Sequence, residues 1–307
     1  MYFTDAAENL FHELVEPTEK FDISDGAVWA DSNSVRFKWP WSRAWHFIDA
    51  KDDPPEVCNI HYSSDCDPDK ECIIAAIKNM ADILVNKTSR VNDPELSKEE
   101  QNNAFKFLLH FVGDVTQPLH TEAKCRGGNG IMVQWGRPDS QPEKIHEVWD
   151  SLIIKKLRGY KRPRGPDPDN VYDKELSLDW ANDLKAKMDG SAIDVARECV
   201  DISKPEQCAL KWAGEANSFI CSYVLKDGVN LGQDEDEDDC EWDWHGPADV
   251  SKEYYEGAVP IVEDLVYKAG WRLGQWINAL AEQRANMIKS GVVFDTRGLM
   301  VQPQMEL

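Results

Sequence analysis

The sequence has no apolar stretch long enough to cross a bilayer. Its densest run, Phe105-Lys-Phe-Leu-Leu-His-Phe-Val112, is short and interrupted, whereas a spanning helix needs roughly 18–20 residues. An integral membrane protein is therefore not expected. The chain opens Met1-Tyr2-Phe3-Thr4-Asp5, without the basic and apolar regions of a signal peptide. Positive charge is also scarce: 34 Lys+Arg face 56 Asp+Glu, a net charge of −22. Such a chain repels nucleic acid and anionic membranes unless a local positive site overrides its field. No fixed-period repeat is present, so solenoids and propellers are not expected. Strand-like alternation is rare, and the best short candidate is Ile131–Trp135, just after Gly127-Gly128-Asn129-Gly130.

What is present is apolar surface and helical periodicity. Hydrophobic residues make up 42% of 307, with 12 Trp, 10 Phe and 8 Tyr, which is enough for a sizeable core and excludes a disordered chain. From Cys72 to Val85, Ile73, Ile74, Ile77, Met80, Ala81 and Leu84 share one helix face. Ser97-Lys98-Glu99-Glu100 is a capping box that opens a helix through Phe105, Leu108, Leu109 and Val112. Cys208–Val224 and Val262–Leu280 are two more long amphipathic stretches. Three segments read as irregular: Asp52–Lys70, Lys161–Asp169, and Gln233–Asp239 with its acidic run. That run reads as a solvated loop, because no EF-hand spacing surrounds it. The expectation is a mostly α, single-domain helical bundle over residues 1–307, its core at about 20–290.

Eight cysteines and the sequon Asn86-Lys87-Thr88 point to an oxidising, extracellular setting. Cys66 and Cys72 bracket a short turn that reads as a small disulfide loop.

The histidines carry the chemistry. His110/Asp114 and His146/Asp150 each place an imidazole and a carboxylate four residues apart, on one helix face. Spacing alone means little here, since five of seven histidines have Asp or Glu at that offset. An isolated pair of this kind is ordinarily a surface charge pair. Context separates these two. His110 lies within an apolar helix face, where a buried His and Asp need a strong partner. Pro118 should kink the chain after Asp114 and swing His120 toward the same cavity. Imidazole and carboxylate donors without thiolate suit zinc, in a catalytic site with open positions. A buried hydrogen-bond network without metal is the plainer alternative.

The stretch Phe107-Leu-Leu-His110-Phe-Val-Gly-Asp114-Val-Thr-Gln-Pro-Leu-His120-Thr-Glu-Ala resembles the signature of the single-strand-preferring zinc nucleases of fungi and plants. The resemblance extends to Trp29-Ala-Asp31, His46-Phe-Ile-Asp-Ala50, Gly127-Gly-Asn129, His146-Glu-Val-Trp-Asp150, Trp212-Ala-Gly-Glu-Ala-Asn217 and Tyr254-Tyr-Glu-Gly-Ala-Val-Pro260. It implies the helical fold shared with phospholipase C. It also implies hydrolysis of single-stranded DNA and RNA to 5′-phosphorylated products, and 3′-nucleotidase activity on mononucleotides. Asp31, His46, His110 and a shared Asp114 would hold one zinc; His120, His146 and Asp150 would hold a second. Asp31, Asp114 and Arg36 are the candidate catalytic residues. Arg36 lies two residues beyond the position of the family arginine, which is Ser34 here. Phe47 would stack on a nucleobase, Asp49 would bond its edge, and Asn129 would line the base pocket. Arg126 stands where an apolar residue is expected. The implied disulfides are Cys58–Cys221 and Cys66–Cys72, with Cys125, Cys199, Cys208 and Cys240 unassigned. No membrane or protein partner is implied.

Two zinc ions would give the three ligand carboxylates a local excess of +1, so contact would rest on stacking and metal–phosphate bonds rather than long-range steering. Family members also begin with a processed Trp-Gly-x-x-Gly-His segment that holds a third zinc. No such motif precedes Asp31, so the third site is expected to lack its Trp and His ligands. Two alternatives follow: a zinc phospholipase C-like phosphodiesterase, or an inactive metal-binding relic. Phe47-Ile48-Asp49 favours a nucleobase, because choline would want an aromatic cage.

Overall fold

In a computed structural model, residues 3–15, 22–66, 72–85, 97–136, 140–160, 171–188, 198–226 and 248–291 are described. The chain is mostly helical. Six helices lead: α1 (Asp5–Val15), α2 (Ile23–Trp29), α3 (Asn33–Lys38), α4 (Tyr62–Asp65), α5 (Ile73–Leu84) and α6 (Lys98–Asp114). Short 3-10 helices at Pro40–His46 and Pro118–Thr121 follow α3 and α6. Later come helices Ile153–Leu157, Val171–Met188, Pro205–Phe219 and Glu253–Lys289. Two-residue strands β1 (Met132–Val133) and β2 (Glu143–Lys144) pair antiparallel, a shorter piece of strand than Ile131–Trp135 promised. The stretch Asp52–Lys70, read as irregular, contains the single turn of α4.

The helices form where the sequence patterning demands burial. In α5, Ile73, Ile74, Ala76, Ile77, Met80, Ala81 and Leu84 are all buried, the stripe of a helix that packs on one side. In α6 the capping box closes as read: Ser97 Oγ accepts from Glu100 N at 3.2 Å, and Glu100 Oε2 accepts from Ser97 N at 2.8 Å. Its last turns are buried on every side, Phe107 through Val112, so α6 runs through the interior rather than over it. A second capping box, Asp22 with Asp25, starts α2.

Two apolar clusters result. One gathers α1, α5, α6 and the Trp212/Trp276 pair; the other gathers Leu119, Val133, Val148, Trp149, Ile220 and Tyr254. Helix Glu253–Lys289 spans both, with Ala258 and Val262 in the second and Trp276, Ile277 and Leu280 in the first. Residues 115–119 link Val115 of the first cluster to Leu119 of the second. That junction is where the histidines lie.

The Pro118 reading needs correction. The chain does not bend a continuous helix there: α6 ends at Asp114, and Pro118 opens a separate 3-10 turn that carries His120. Proline suits that first position, where no N–H is required. The disulfides Cys58–Cys221 and Cys66–Cys72 are present as the resemblance implied, Cys199–Cys208 is a third pair, and Cys125 is also disulfide-bonded. Asn86, the acidic run 233–239, the loop 161–169 and Cys240 lie outside the described residues. Among the described residues no helix is long and apolar enough to cross a membrane.

Candidate metal centre

Six pieces of chain deliver the side chains. Asp31 sits at the corner between α2 and α3. His46 ends the first 3-10 helix, which is pinned by Trp39 and Trp45 packing edge-on against Phe107. His110 and Asp114 come from the end of α6, and His120 from the second 3-10 helix. His146 lies in a one-turn helix that passes straight into a π-turn, Val148–Leu152, which holds Asp150. The expected single α-helix face for this pair is thus replaced by a wider turn, yet the pair still meets: His146 Nε2 lies 3.2 Å from Asp150 Oδ2.

The side chains form two adjacent groups. In the first, Asp114 Oδ2 is 2.9 Å from both His46 Nδ1 and His110 Nε2, which are 3.0 Å from each other. Asp31 stands 3.6 Å from His110 Nε2 and 3.8 Å from His46 Nδ1. In the second, His120 Nε2 is 3.4 Å from Asp150 Oδ1, and the His120 and His146 rings stack with centroids 5.1 Å apart. Asp114 Oδ1, 3.8 Å from His120 Nδ1, links the groups. Asp31/His46/His110 and His120/His146/Asp150 each bring donor atoms close enough to hold one metal ion.

The backbone orients three of the four imidazoles. The Nδ1–H of His110 donates to Ala27 O at 2.6 Å, that of His120 to His46 O at 2.9 Å, and that of His146 to Gly127 O at 2.6 Å. Each ring therefore turns its Nε2 into the cluster, the orientation a metal ligand needs. For His110 the acceptor arrives because α2 lies hard against α6. A Cβ at Gly26 would stand 2.8 Å from Leu109 Cδ1. For His146 it arrives on a left-handed turn, in which Cys125, Arg126, Gly127 and Gly128 all have φ between 52° and 74°. Asn129 closes that turn by donating from its side-chain amide to Arg126 O at 2.9 Å. Gln117 donates to Asp150 Oδ1 at 2.6 Å and so fixes the carboxylate.

These partners escaped the sequence reading. Main-chain acceptors leave no residue signature, and the available hints were the Gly127-Gly128 pair and a glutamine directly before Pro118.

The electrostatics match the geometry. Burial opposes a charge on His120, but Asp114 and Asp150 overcome it and push the imidazole up to about 9. His110 is likewise raised against its burial by Asp114 and Asp31. Burial works against ionised Asp114 and Asp150 as well, yet the facing histidines hold both far below the usual carboxylate range. A third grouping, Asp52, Cys58 and Glu122, offers no thiolate because Cys58 is bonded to Cys221. Burial and the adjacent Asp52 push Glu122 up to about 9.

The entrance is marked by the exposed members. Asp31 is about half exposed, and Arg36 reaches back from α3 to it, Nη2 to Oδ1 at 2.7 Å. Phe47, directly after His46, is 38% exposed, and Asp49 is exposed beyond it. All seven candidate metal ligands are thus brought together, with Arg36 and Phe47 on the same stretch of chain. Asn129 serves its own turn.

The S1/P1 Nuclease family matches residues 1–282. Nuclease S1 of Aspergillus oryzae is 31% identical over 265 residues, 85% of this chain and 80% of that protein. Nuclease P1 of Penicillium citrinum is 34% identical over 258 residues, 83% of each chain. Endonuclease 4 of Arabidopsis thaliana is 26% identical over 288 residues, 91% of this chain and 84% of that protein. With a match across nearly the whole chain and relatives above 30% identity, this chain belongs to the S1/P1 nuclease family.

Proposed function

We propose that this nuclease is a zinc-dependent endonuclease that cleaves single-stranded DNA and RNA to 5′-phosphorylated products, with 3′-nucleotidase activity on mononucleotides. The orientation of the imidazoles carries the reading: three rings spend Nδ1–H on backbone carbonyls and turn Nε2 inward, among three carboxylates. One of those nitrogens, His120 Nε2, is buried and faces Asp150 Oδ1 at 3.4 Å, a carboxylate and an imidazole nitrogen placed to share one cation. The donor set, imidazole and carboxylate with no thiolate, fits zinc. Asp31, His46, His110 and shared Asp114 would hold one ion; His120, His146 and Asp150 would hold the other. Zinc bound there supplies Lewis acidity toward phosphate oxygens and lowers the pKa of water.

The chain's own residues do the rest. Arg36, tethered to Asp31, keeps guanidinium N–H groups free for a phosphate oxygen at the entrance. Phe47 presents a ring on which an unpaired base stacks, and Asp49 offers an acceptor to that base's edge. A duplex keeps its bases in the stack and cannot use that ring, so single strands are preferred. The names of relatives such as Nuclease S1 and Endonuclease 4 support the nuclease part of this reading. The disulfides favour an extracellular setting.

The test is digestion of a single-stranded oligonucleotide and its duplex by the purified chain, with chelator and then with zinc restored, beside elemental analysis. Single-strand cleavage that stops with chelator and returns with zinc is the expected result. Cleavage indifferent to chelator, or zinc-free protein with full activity, overturns the reading.

A further inference from the structure

The segment Ser34–Phe47, Ser-Val-Arg-Phe-Lys-Trp-Pro-Trp-Ser-Arg-Ala-Trp-His-Phe, departs from the rest of the chain. It holds three basic residues, five Phe or Trp rings and no acid, within a protein of net charge −22. Its rings divide into two sets. Trp39 and Trp45, 4% and 2% exposed, pack against Phe107 and anchor the backbone. Phe37, Trp41 and Phe47 point outward, 91%, 46% and 38% exposed. Every other Phe and Trp among the described residues is buried or half-buried. A phenylalanine as exposed as Phe37 contributes little to packing, and three outward rings on one short segment need another account.

The charges sort similarly. Arg36 is held by Asp31, and Lys38 by Glu99 at 2.9 Å and by the Trp39 ring. Arg43 is exposed and makes no ion pair among the described residues. The segment is thus an aromatic surface with one unneutralised guanidinium on two anchored helical pieces, and it runs directly into His46 and Phe47 of the candidate metal centre.

We propose that Phe37, Trp41 and Arg43 form a binding surface for the unpaired nucleotides that flank the cleaved phosphodiester bond. Aromatic faces stack on bases of any sequence, and a guanidinium on the same segment pairs with the connecting phosphates. This combination selects an unpaired polyanion over an apolar protein partner, because the exposed rings carry beside them a guanidinium, Arg43, that no acid among the described residues neutralises. It also gives a strongly negative enzyme a local foothold on its substrate. The ligand class rests on the nuclease reading above.

The test uses the zinc-loaded full chain with a single-stranded oligothymidylate of about twelve nucleotides and with the dinucleotide TpT. The parent's KM should fall with length, and in the Phe37→Ala/Trp41→Ala variant that gain should collapse. KM for the long strand should rise about fivefold or more for each ring lost. Binding of a phosphorothioate version of the long strand, followed by fluorescence anisotropy, should weaken by a similar factor. Trp41→Phe should restore much of the loss, and Leu178→Ala, an exposed apolar residue on another helix, should weaken neither measurement. If the double variant binds and cleaves the long strand within about twofold of a parent that is active, the surface is refuted and the nuclease reading stands. If the parent cleaves nothing but binds the phosphorothioate strand through these rings, the surface stands and the nuclease reading falls.

Discussion

Gly127→Ala adds one methyl group and tests whether the left-handed turn is what aims His146. Gly127 has φ +60°, and its carbonyl takes the Nδ1–H of His146 at 2.6 Å. A Cβ there would lie 2.7 Å from Leu119 O, closer than real Cβ atoms approach anything, and 3.4 Å from Glu122 O. Both neighbours are backbone, so neither can swing away, and the turn itself must move. The left-handed conformation alone costs an alanine about 1–2 kcal/mol. At about 2–4 °C per kcal/mol, the melting temperature should drop by about 2–8 °C, more with the clash. Losing the carbonyl that orients a ligating imidazole costs about 10–100-fold in metal affinity. Elemental analysis after dialysis at graded free zinc should show the His120/His146/Asp150 site filling late, with the Asp31/His46/His110 site filling as in the parent. The contrast is Gly113→Ala in α6, where nothing lies within 4 Å of the added Cβ and a gain of about 0.5–1 kcal/mol is expected. A Gly127→Ala protein with parental melting and parental zinc affinity would show that the turn does not orient His146.

Asp114→Asn keeps the volume but removes the carboxylate that faces His46 and His110 at 2.9 Å, so zinc content and activity should both fall steeply; near-parental values would refute the shared-ligand role. At His120 zinc competes with a proton held up to about 9, so apparent affinity of that site should weaken toward tenfold per pH unit below that value, about 50-fold from pH 9 to 7. Calorimetry should record about one proton released per zinc at pH 7, and a flat affinity across that window would contradict the assignment. The sign for stability follows from the same group. His120 sits above its ordinary 6.5, so in the chelated chain its contribution is complete below about 6.5 and is lost as pH rises through about 9, read by denaturant titration at several pH values. Phe47→Ala should raise KM for mononucleotides about 5- to 150-fold by lost stacking while zinc content stays parental; loss of zinc would mark Phe47 as structural.

How far the sequence was legible differs from element to element, for physical reasons. The start of α6 was readable because a capping box is made of side chains: Ser97 and Glu100 satisfy each other's backbone N–H groups, and the apolar run behind them has the helix period. The last helix was readable in its middle but not in its extent. Its apolar periodicity is clear from Val262 to Leu280, whereas the helix runs Glu253–Lys289, straight through Pro260. Pro260 lies on the exposed side, so the carbonyl it leaves unpaired faces water, and the usual penalty of an interior proline is softened. A breaker rule that ignores which face the proline occupies stops this helix too early.

The candidate centre divides along a similar line. Its ligand types and spacing are side-chain facts, so His110/Asp114, His120 and His146/Asp150 could be picked out from the residues alone. Asp31 and His46 could not, because nothing local distinguishes an acid at a helix corner or a histidine after a buried tryptophan; only the resemblance marked them. What aims the rings is main chain: the carbonyls of Ala27, His46 and Gly127. These acceptors are positioned by the Gly26 approach of α2 to α6, by the bond from Ile48 N to His120 O at 2.9 Å, and by a left-handed turn. Each of those features is tertiary. The bond from Ile48 to His120 is the most consequential, since it straps the segment carrying His46 onto the segment carrying His120 and so couples the two groups through backbone as well as through Asp114. Breaking that strap should therefore disturb both metal positions together, whereas Gly127→Ala, relieved by movement of its own turn, should disturb chiefly the position that His146 serves.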